Sequence, residues 1–102
     1  MKRALLAREA AAEVESAATW YEGRRTGLAA AFLAEIGRTL QLIESRPQAF
    51  PRVVGPAADL NVRRALCHRF PYAIVYFERP DDVRILAVAH TSRRPDYWLN
   101  RV

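Results

Sequence analysis

The chain has 102 residues, of which 51% are hydrophobic and 26% are charged. This length fits one small domain over residues 1–102, and the composition excludes a disordered chain. No apolar run reaches the roughly 20 residues of a membrane span, and the first residues lack the apolar stretch of a signal peptide, so we expect a cytoplasmic protein with no membrane partner. A single cysteine, Cys67, excludes an internal disulfide.

Positive charge is concentrated in the second half of the chain. The formal net charge is +5, and residues 60–102 carry eight arginines against four acids, whereas residues 1–59 carry eight bases against seven acids. Such a basic surface indicates an acidic partner, either nucleic acid or an acidic protein. Fifteen of the sixteen basic residues are arginine, as happens when base composition biases codon choice. Such a bias explains any single arginine equally well as a solvated surface residue.

The first half predicts a short strand and two helices. Residues 4–7 are apolar and precede a helical pattern over about residues 8–23, and a second, longer pattern covers about residues 27–45. Pro47 ends the second helix because it lacks an amide hydrogen and disfavours helix at the preceding residue. Only about three residues separate the helices, so they should pack as an antiparallel hairpin. The chain then stays irregular up to about residue 59.

The second half predicts strands. Residues 60–67 alternate with mixed faces, as at a sheet edge, whereas residues 70–77 and 83–89 are apolar at nearly every position, as in central strands. Turn residues at 79–82 predict a hairpin between the two central strands.

The fold class that follows is α+β. We expect the order β-α-α-β-β-β, with the last three strands in an antiparallel meander and the helix hairpin packed on one face of a small sheet. Pro95 fits the first turn of a short C-terminal helix that continues through Tyr97 and Arg101. The pattern does not fix where the first strand joins the sheet.

Signatures of common enzymes are absent from the sequence: there is no Gly-rich phosphate loop, His-Glu-x-x-His motif, paired cysteine motif or nucleophile elbow. We therefore expect neither a cofactor nor a metal ion. Cleavage of RNA would need a base, an acid and cations around the phosphate, for which His68, His90, Tyr97 and the arginines are candidates. For His90 we favour a structural role, in which the ring hydrogen bonds a backbone carbonyl and fixes the tail, and His68 is expected to be a solvated turn residue.

The C-terminal tail combines cations with flat rings. Arg93 and Arg94 lie close in sequence to Tyr97 and Trp98, a combination that suits stacking on bases or anchoring a protein interface. The alternative is a tail held by its own aromatics, with Trp98 packed on the sheet and Arg93 in a salt bridge. We assign these four residues to a surface that binds the target of the protein, whether that target is a nucleic acid or another protein.

Two further groups are candidates for partner contacts. Arg63 and Arg64 point to opposite faces of one strand, so only one of them can join a given surface, and we include Arg63 in the target-binding set. Trp20, Tyr21 and Phe32 on the helices are mainly core candidates. One small sheet cannot cover both faces of a helix hairpin, however, so a remaining apolar stripe is expected to receive another chain, with Trp20 as its main contact.

The order and spacing of short motifs resemble the RelE/ParE superfamily along nearly the whole chain. The motifs are Trp20-Tyr21-Glu22, Gly27-Leu28, Phe32-Leu33-x-Glu35-Ile36, Ile43-x-x-x-Pro47, Phe50-Pro51, Val62-Arg63-Arg64, Arg69-Phe70-Pro71-Tyr72-x-Ile74-x-Tyr76 and His90-x-x-Arg93-x-Pro95-x-Tyr97-Trp98. The resemblance implies a small sheet carrying a helix hairpin, which agrees with the layout predicted above. It also implies the toxin half of a type II toxin-antitoxin system, of the kind that includes plasmid stabilisation proteins, in a hetero-oligomer with a cognate antitoxin whose C-terminal segment wraps the toxin.

The superfamily implies one of two activities. RelE-like members cut mRNA on the ribosome, whereas ParE-like members poison DNA gyrase. The ribonuclease branch relies on a basic residue in the second strand, an arginine after the third-strand tyrosine, an arginine beyond the fourth strand and a tyrosine in the C-terminal helix. By alignment these positions hold Leu66, Ala73, Thr91 and Tyr97. Three of the four groups are absent, so the resemblance favours a ParE-like gyrase inhibitor that acts by binding and has no reaction of its own.

Two alternatives stay open on the sequence. A ribosome-dependent endoribonuclease, with ribosome and mRNA as partners, would need a rearranged site built from Arg64, Arg69, His90 and Tyr97. A degenerate module would keep the antitoxin contact and have lost toxicity.

Overall fold

The computed structural model describes residues 1–102 except the side chains of residues 56 and 57. Its regular elements are, in chain order, β1 (Arg3–Leu6), α1 (Arg8–Arg24), α2 (Leu28–Ser45), β2 (Val62–Leu66), β3 (Tyr72–Glu78) and β4 (Asp82–His90). Two 3₁₀ turns, Gly55–Leu60 and Leu99–Arg101, accompany them. The order confirms the predicted β-α-α-β-β-β arrangement and the α+β class.

The four strands form one sheet in the order β1-β4-β3-β2. The last three are an antiparallel meander, in which Leu66 pairs with Ala73 and Ala73 pairs with Ala89. β1 joins the other edge parallel to β4, where it pairs with residues 82–85. β2 therefore lies at a sheet edge, as its mixed faces predicted, and the first strand gains the position that the sequence pattern left open.

The helix hairpin follows from local signals. Ala7 links β1 directly to α1, and its N–H donates to the Ile85 carbonyl at 2.9 Å, so the first helix starts at the sheet. Gly27 adopts a left-handed backbone with a φ of 94°, which glycine tolerates and which helps to reverse the chain between the helices. The Glu22 carboxylate accepts hydrogen bonds from the Gly27 and Ala29 amides and thereby caps the start of α2.

The two faces of the sheet are covered differently. The helix face packs against α1 and α2, and its buried core includes Phe32, Ile36, Ile43, Ala65, Phe70, Ile74, Tyr76, Val83, Ile85 and Val88. The opposite face, which we call the open face, holds a second cluster of Val62, Val75, Leu86, Ala87 and Trp98. A loop at residues 51–54 and the C-terminal tail at residues 91–102 cover only part of this face. Leu66 shows this, since its side chain stays 57% exposed.

The C-terminal helix is shorter than predicted. Residues that follow Pro95 form turns, and only Leu99–Arg101 is helical, as a 3₁₀ turn. The cause is Asp96, whose left-handed backbone with a φ of 62° cannot lie inside a right-handed helix. The 3₁₀ turn Gly55–Leu60 lies in the segment that was predicted to be irregular.

Candidate functional site

A groove of about 330 Å³ lies on the open face, between the loop at residues 51–54 and the C-terminal tail. Its floor is made by Leu66, Val75 and Ala89, one residue from each strand of the meander. Its walls come from the loop, from Arg64 and from the tail. We call it the sheet groove.

Leu66, one of the three positions at which the resemblance predicts a cation in a ribonuclease, lies in the apolar floor. Leu66 and Ala73 pair across β2 and β3. Ala73 is buried, and the exposed Leu66 lines the groove. Thr91 follows β4 and lies in the wall. Apolar and hydroxyl side chains cannot neutralise a phosphate, so these three positions supply no cation.

Four arginines surround this floor. Arg64 comes from β2, Arg52 from the loop, and Arg93 and Arg94 from the tail. Among the side chains that the structure describes, none of these four forms a salt bridge, and Asp96 is the one acid in the lining. The groove therefore carries an excess of unpaired positive charge beside exposed apolar surface.

A partly buried polar cluster holds the tail in place. Tyr97 donates its hydroxyl proton to the Glu13 carboxylate at 2.6 Å, and Arg101 donates to the same carboxylate at 3.0 Å. Glu13 also accepts a hydrogen bond from the Val88 amide, and Arg101 donates one to the Leu86 carbonyl. The two side chains therefore pair backbone groups of β4 beyond the stretch that pairs with β1. Burial and the hydrogen bond to Glu13 raise the pKa of Tyr97 to about 12.

The aromatic rings of the tail are engaged within the chain. The Arg93 guanidinium lies 3.8 Å from the centroid of the Tyr97 ring, and the Arg101 guanidinium lies 5.0 Å from it. Trp98 is 4% exposed and packs on the open-face cluster, which confirms the alternative of a packed tryptophan. Arg93 stacks on Tyr97 where that alternative placed a salt bridge.

His90 ends β4 at the junction of the groove and the tail. Its Nδ1 accepts a hydrogen bond from the Ser92 amide at 3.0 Å, and its ring packs edge-on against Tyr72 with the centroids 5.3 Å apart. The His90 carbonyl accepts from the Arg93 amide. These contacts support the structural role, although the ring nitrogen bonds a backbone amide and not the predicted carbonyl.

The structure separates three candidate residues from this site. The Arg63 guanidinium donates to the Phe50 carbonyl at 2.7 Å. Arg69 has a left-handed backbone with a φ of 71°, and its guanidinium packs on the neighbouring aromatic ring. His68 is exposed in the same turn. The described lining of the sheet groove includes Arg64 but none of these three.

Two residues of the site carry no signal in the sequence. Arg52 lies in the segment predicted to be irregular, and it reaches the groove because a bridge between Arg52 and Arg63 brings the loop onto β2. Glu13 resembles any solvated helix residue, and it meets Tyr97, 84 positions later, because α1 packs on β4. A local hydrophobic period cannot encode pairings of this kind.

The residues that the structure describes contain no cluster of three or more acidic, histidine or cysteine side chains that could hold a metal ion. None of the helices described combines the length and apolar composition needed to cross a membrane. Burial raises the pKa of the Cys67 thiol, which favours its protonated, unreactive form.

Comparison with known proteins identifies the family. The profile of the family described as "ParE toxin of type II toxin-antitoxin system, parDE" matches residues 4–95, nearly the whole chain. The chain belongs to the ParE toxin family. Membership confirms the resemblance predicted from the motifs, and it places the protein among type II toxins, with an antitoxin partner implied.

A solved structure supports the fold of this ParE-family toxin. It is described as the chromosomal ParDE TA system from P. aeruginosa, and it matches with a TM-score of 0.74 and 18% sequence identity, covering 88% of this chain and 96% of that chain. At this identity the likeness shows the fold alone. No curated protein matches the sequence.

A second groove of this ParE-family toxin, of about 510 Å³, lies between α1 and the end of β4. We call it the helix groove. Trp20 lines it and is 56% exposed. Tyr21 is partly buried, with its ring centroid 5.2 Å from that of Phe32, which is fully buried. Trp20 can therefore meet a partner, whereas Phe32 belongs to the core and has no surface to offer one.

Proposed function

We propose that this ParE-family toxin inhibits DNA gyrase by binding it, without catalysing a reaction, and that a cognate antitoxin neutralises it. The observation that carries the proposal is the floor of the sheet groove, where apolar Leu66 occupies a position at which the resemblance predicts a cation in a ribonuclease. Buried Ala73, which pairs with Leu66 across β2 and β3, occupies a second such position. Arg64, Arg93 and Arg94 lie around that floor with no salt-bridge partner among the described side chains. Such a surface suits recognition, and three cations of the ribonuclease pattern are replaced by Leu66, Ala73 and Thr91.

Acid-base chemistry in the groove has little support. The Tyr97 hydroxyl donates to Glu13, and its pKa of about 12 keeps it protonated. The His90 ring is held by Ser92, and Arg69, a cation of the rearranged ribonuclease site, lies outside the described lining. The gyrase proposal needs none of these groups to react.

The direct test is a supercoiling assay with purified gyrase, relaxed plasmid and ATP. The toxin should block supercoiling and stabilise cleaved DNA. The double variant Arg64→Ala/Arg94→Ala should raise the half-inhibitory concentration about tenfold or more, because two unpaired cations leave the interface. The matched variant Arg25→Ala/Arg46→Ala removes the same charge from exposed positions at the helix ends and should leave it unchanged. No inhibition by excess wild-type toxin would refute the proposal.

Translation provides the opposing test. A cell-free extract should keep translating at toxin concentrations that stop supercoiling. Toeprints on programmed ribosomes that show A-site cuts, and that vanish in Tyr97→Phe or Arg69→Ala, would establish the ribonuclease alternative instead.

The antitoxin is proposed to cover the helix groove, with Trp20 as an anchor. Exposed aromatic side chains beside a groove are frequent hot spots of protein interfaces. Trp20→Ala should weaken the toxin-antitoxin complex about tenfold or more while the toxin stays folded. The measurement is titration calorimetry with the product of the neighbouring reading frame, and Thr19→Ala, also exposed on α1, is the control. Equal affinity of both variants would place the antitoxin elsewhere.

A further inference from the structure

The sheet groove exposes apolar side chains that a partner must cover. Leu66 is 57% exposed and Val54 is 84% exposed, and both line the groove. Its volume of about 330 Å³ lies at the small end of the about 300–1,000 Å³ that ligand sites occupy. A groove of this size takes a short segment of a partner with an aliphatic side chain.

The charge of the groove fixes a second property of that segment. Arg52, Arg64, Arg93 and Arg94 face one acid, Asp96, in the described lining. No described side chain forms a salt bridge with any of the four. Arginine presents a planar fork of donors that matches a carboxylate or a phosphate. The bound segment must therefore carry several negative charges next to its apolar side chain.

The aromatic rings of the groove indicate whether its anionic partner carries carboxylates, as a peptide does, or phosphates, as a nucleic acid does. A nucleic-acid strand gains much of its binding energy by stacking bases on exposed aromatic faces. Here Trp98 is 4% exposed, the Tyr97 ring has Arg93 and Arg101 stacked against it, and the His90 ring packs on Tyr72. Of the rings in the described lining, Trp98 is buried and Tyr97 is covered by arginine, which leaves the partly buried His90 ring as a poor stacking platform, whereas Leu66 and Val54 remain exposed for aliphatic contact.

We infer that the sheet groove binds a short acidic protein segment in which aliphatic side chains alternate with carboxylates, and that it does not bind a nucleic-acid strand. The aliphatic side chains would cover Leu66 and Val54, and the carboxylates would pair with Arg64, Arg93 and Arg94. The inference rests on the proposed function, since it assigns the segment to gyrase itself and not to the DNA that gyrase holds.

Fluorescence anisotropy with a labelled eight-residue peptide of alternating glutamate and leucine tests the inference. The full-length toxin should bind this peptide about tenfold or more tightly than a glutamine-leucine peptide, a glutamate-serine peptide or single-stranded oligothymidylate of eight nucleotides. Arg64→Ala/Arg94→Ala and Leu66→Ser should each weaken binding, whereas Arg25→Ala/Arg46→Ala should not. Circular dichroism confirms that each variant is folded.

Three results would overturn the inference: no binding of the acidic peptide, equal binding of the glutamine peptide, or tighter binding of the oligonucleotide. The supercoiling assay keeps this failure apart from failure of the proposed function. Gyrase inhibition without peptide binding overturns the inference alone. Peptide binding that depends on Arg64 and Leu66, with gyrase unaffected, supports the acidic-segment chemistry and overturns the assignment to gyrase.

Discussion

The two faces of this sheet differ in how completely the chain uses its own chemical groups. On the helix face, Tyr76 is buried, and its hydroxyl donates to the Pro47 carbonyl at 2.8 Å. No buried side-chain nitrogen or oxygen that the structure describes lacks a hydrogen-bond partner. On the open face, Arg64 and Arg94 have no salt-bridge partner among the described side chains, and Leu66 is 57% exposed. Groups left unused within the chain are the groups available to another molecule.

The comparison separates stability from recognition. Substitutions on the helix face should act on the free energy of unfolding, because they create cavities or unpaired polar groups. Substitutions of the exposed open-face residues should act on binding and leave stability within about 0.5 kcal/mol.

Phe32→Ala should have the largest effect on stability. Phe32 is fully buried between the helices and the sheet, and truncation of such a side chain costs about 3–5 kcal/mol of unfolding free energy. Urea denaturation followed by circular dichroism measures the loss. Leu66→Ala on the open face is the comparison, and it should change the same quantity by no more than about 0.5 kcal/mol. Equal losses for both variants would break the division between the faces.

Glu13→Ala should have an intermediate effect, since it frees the tail that walls the sheet groove. The Val88 amide and the Tyr97 hydroxyl both lose their acceptor, which should cost about 1–3 kcal/mol. The pKa of Tyr97 should fall below its value of about 12, because Glu13 contributes to raising it, while that of Tyr76, also about 12, should not change. An NMR titration that follows the assigned ring resonances of Tyr97 and Tyr76 measures the two pKa values separately, with Glu15→Ala as the control. An unchanged titration would mean that Glu13 does not hold the tail.

Glu35→Gln should have the smallest effect, seen as a pH dependence. Hydrogen bonds from the Arg38 guanidinium and the His68 amide hold the pKa of Glu35 below its usual value. A carboxylate with a lowered pKa stabilises the fold above the unfolded pKa of about 4.3, and this contribution is lost as the pH falls through the folded pKa. The stability difference between wild type and Glu35→Gln should therefore shrink in acid, as urea titrations at several pH values would show.

The open face supplies the contrast for this pH dependence. Arg64 forms no salt bridge with a described carboxylate, so the stability difference between wild type and Arg64→Ala should stay constant over the same pH range. A constant difference for Glu35→Gln, or a changing one for Arg64→Ala, would contradict the account.

Local patterns were enough to predict most of the fold. The change from a helical period to alternating and continuous apolar runs marks where the helices end and the strands begin, and the mixed faces of residues 60–67 placed that strand at an edge. The position of β1 could not be predicted, because four residues fit either edge of a sheet. The shortened C-terminal helix was missed because its cause is one backbone angle at Asp96.

The site was predictable only where it is contiguous in sequence. Arg93, Arg94, Tyr97 and Trp98 were grouped because they are neighbours in the tail, and the structure places them together in the groove lining. Arg52 and Glu13 belong to the site because long-range packing brings them there, and no local sequence pattern predicts such packing. Of the pair Arg63 and Arg64, alternation showed that one must face away, but only the fold shows that Arg64 lines the groove.

Site-specific photo-crosslinking tests the central claim most directly, because it reports which face of the sheet meets the target. A photoreactive amino acid replaces Leu66 on the open face in one toxin and Leu42, which is 44% exposed on α2, in another. After irradiation with gyrase, position 66 should give a toxin-gyrase adduct and position 42 should give none. An adduct from position 42 alone, or from neither position under conditions in which the toxin blocks supercoiling, would contradict the central claim.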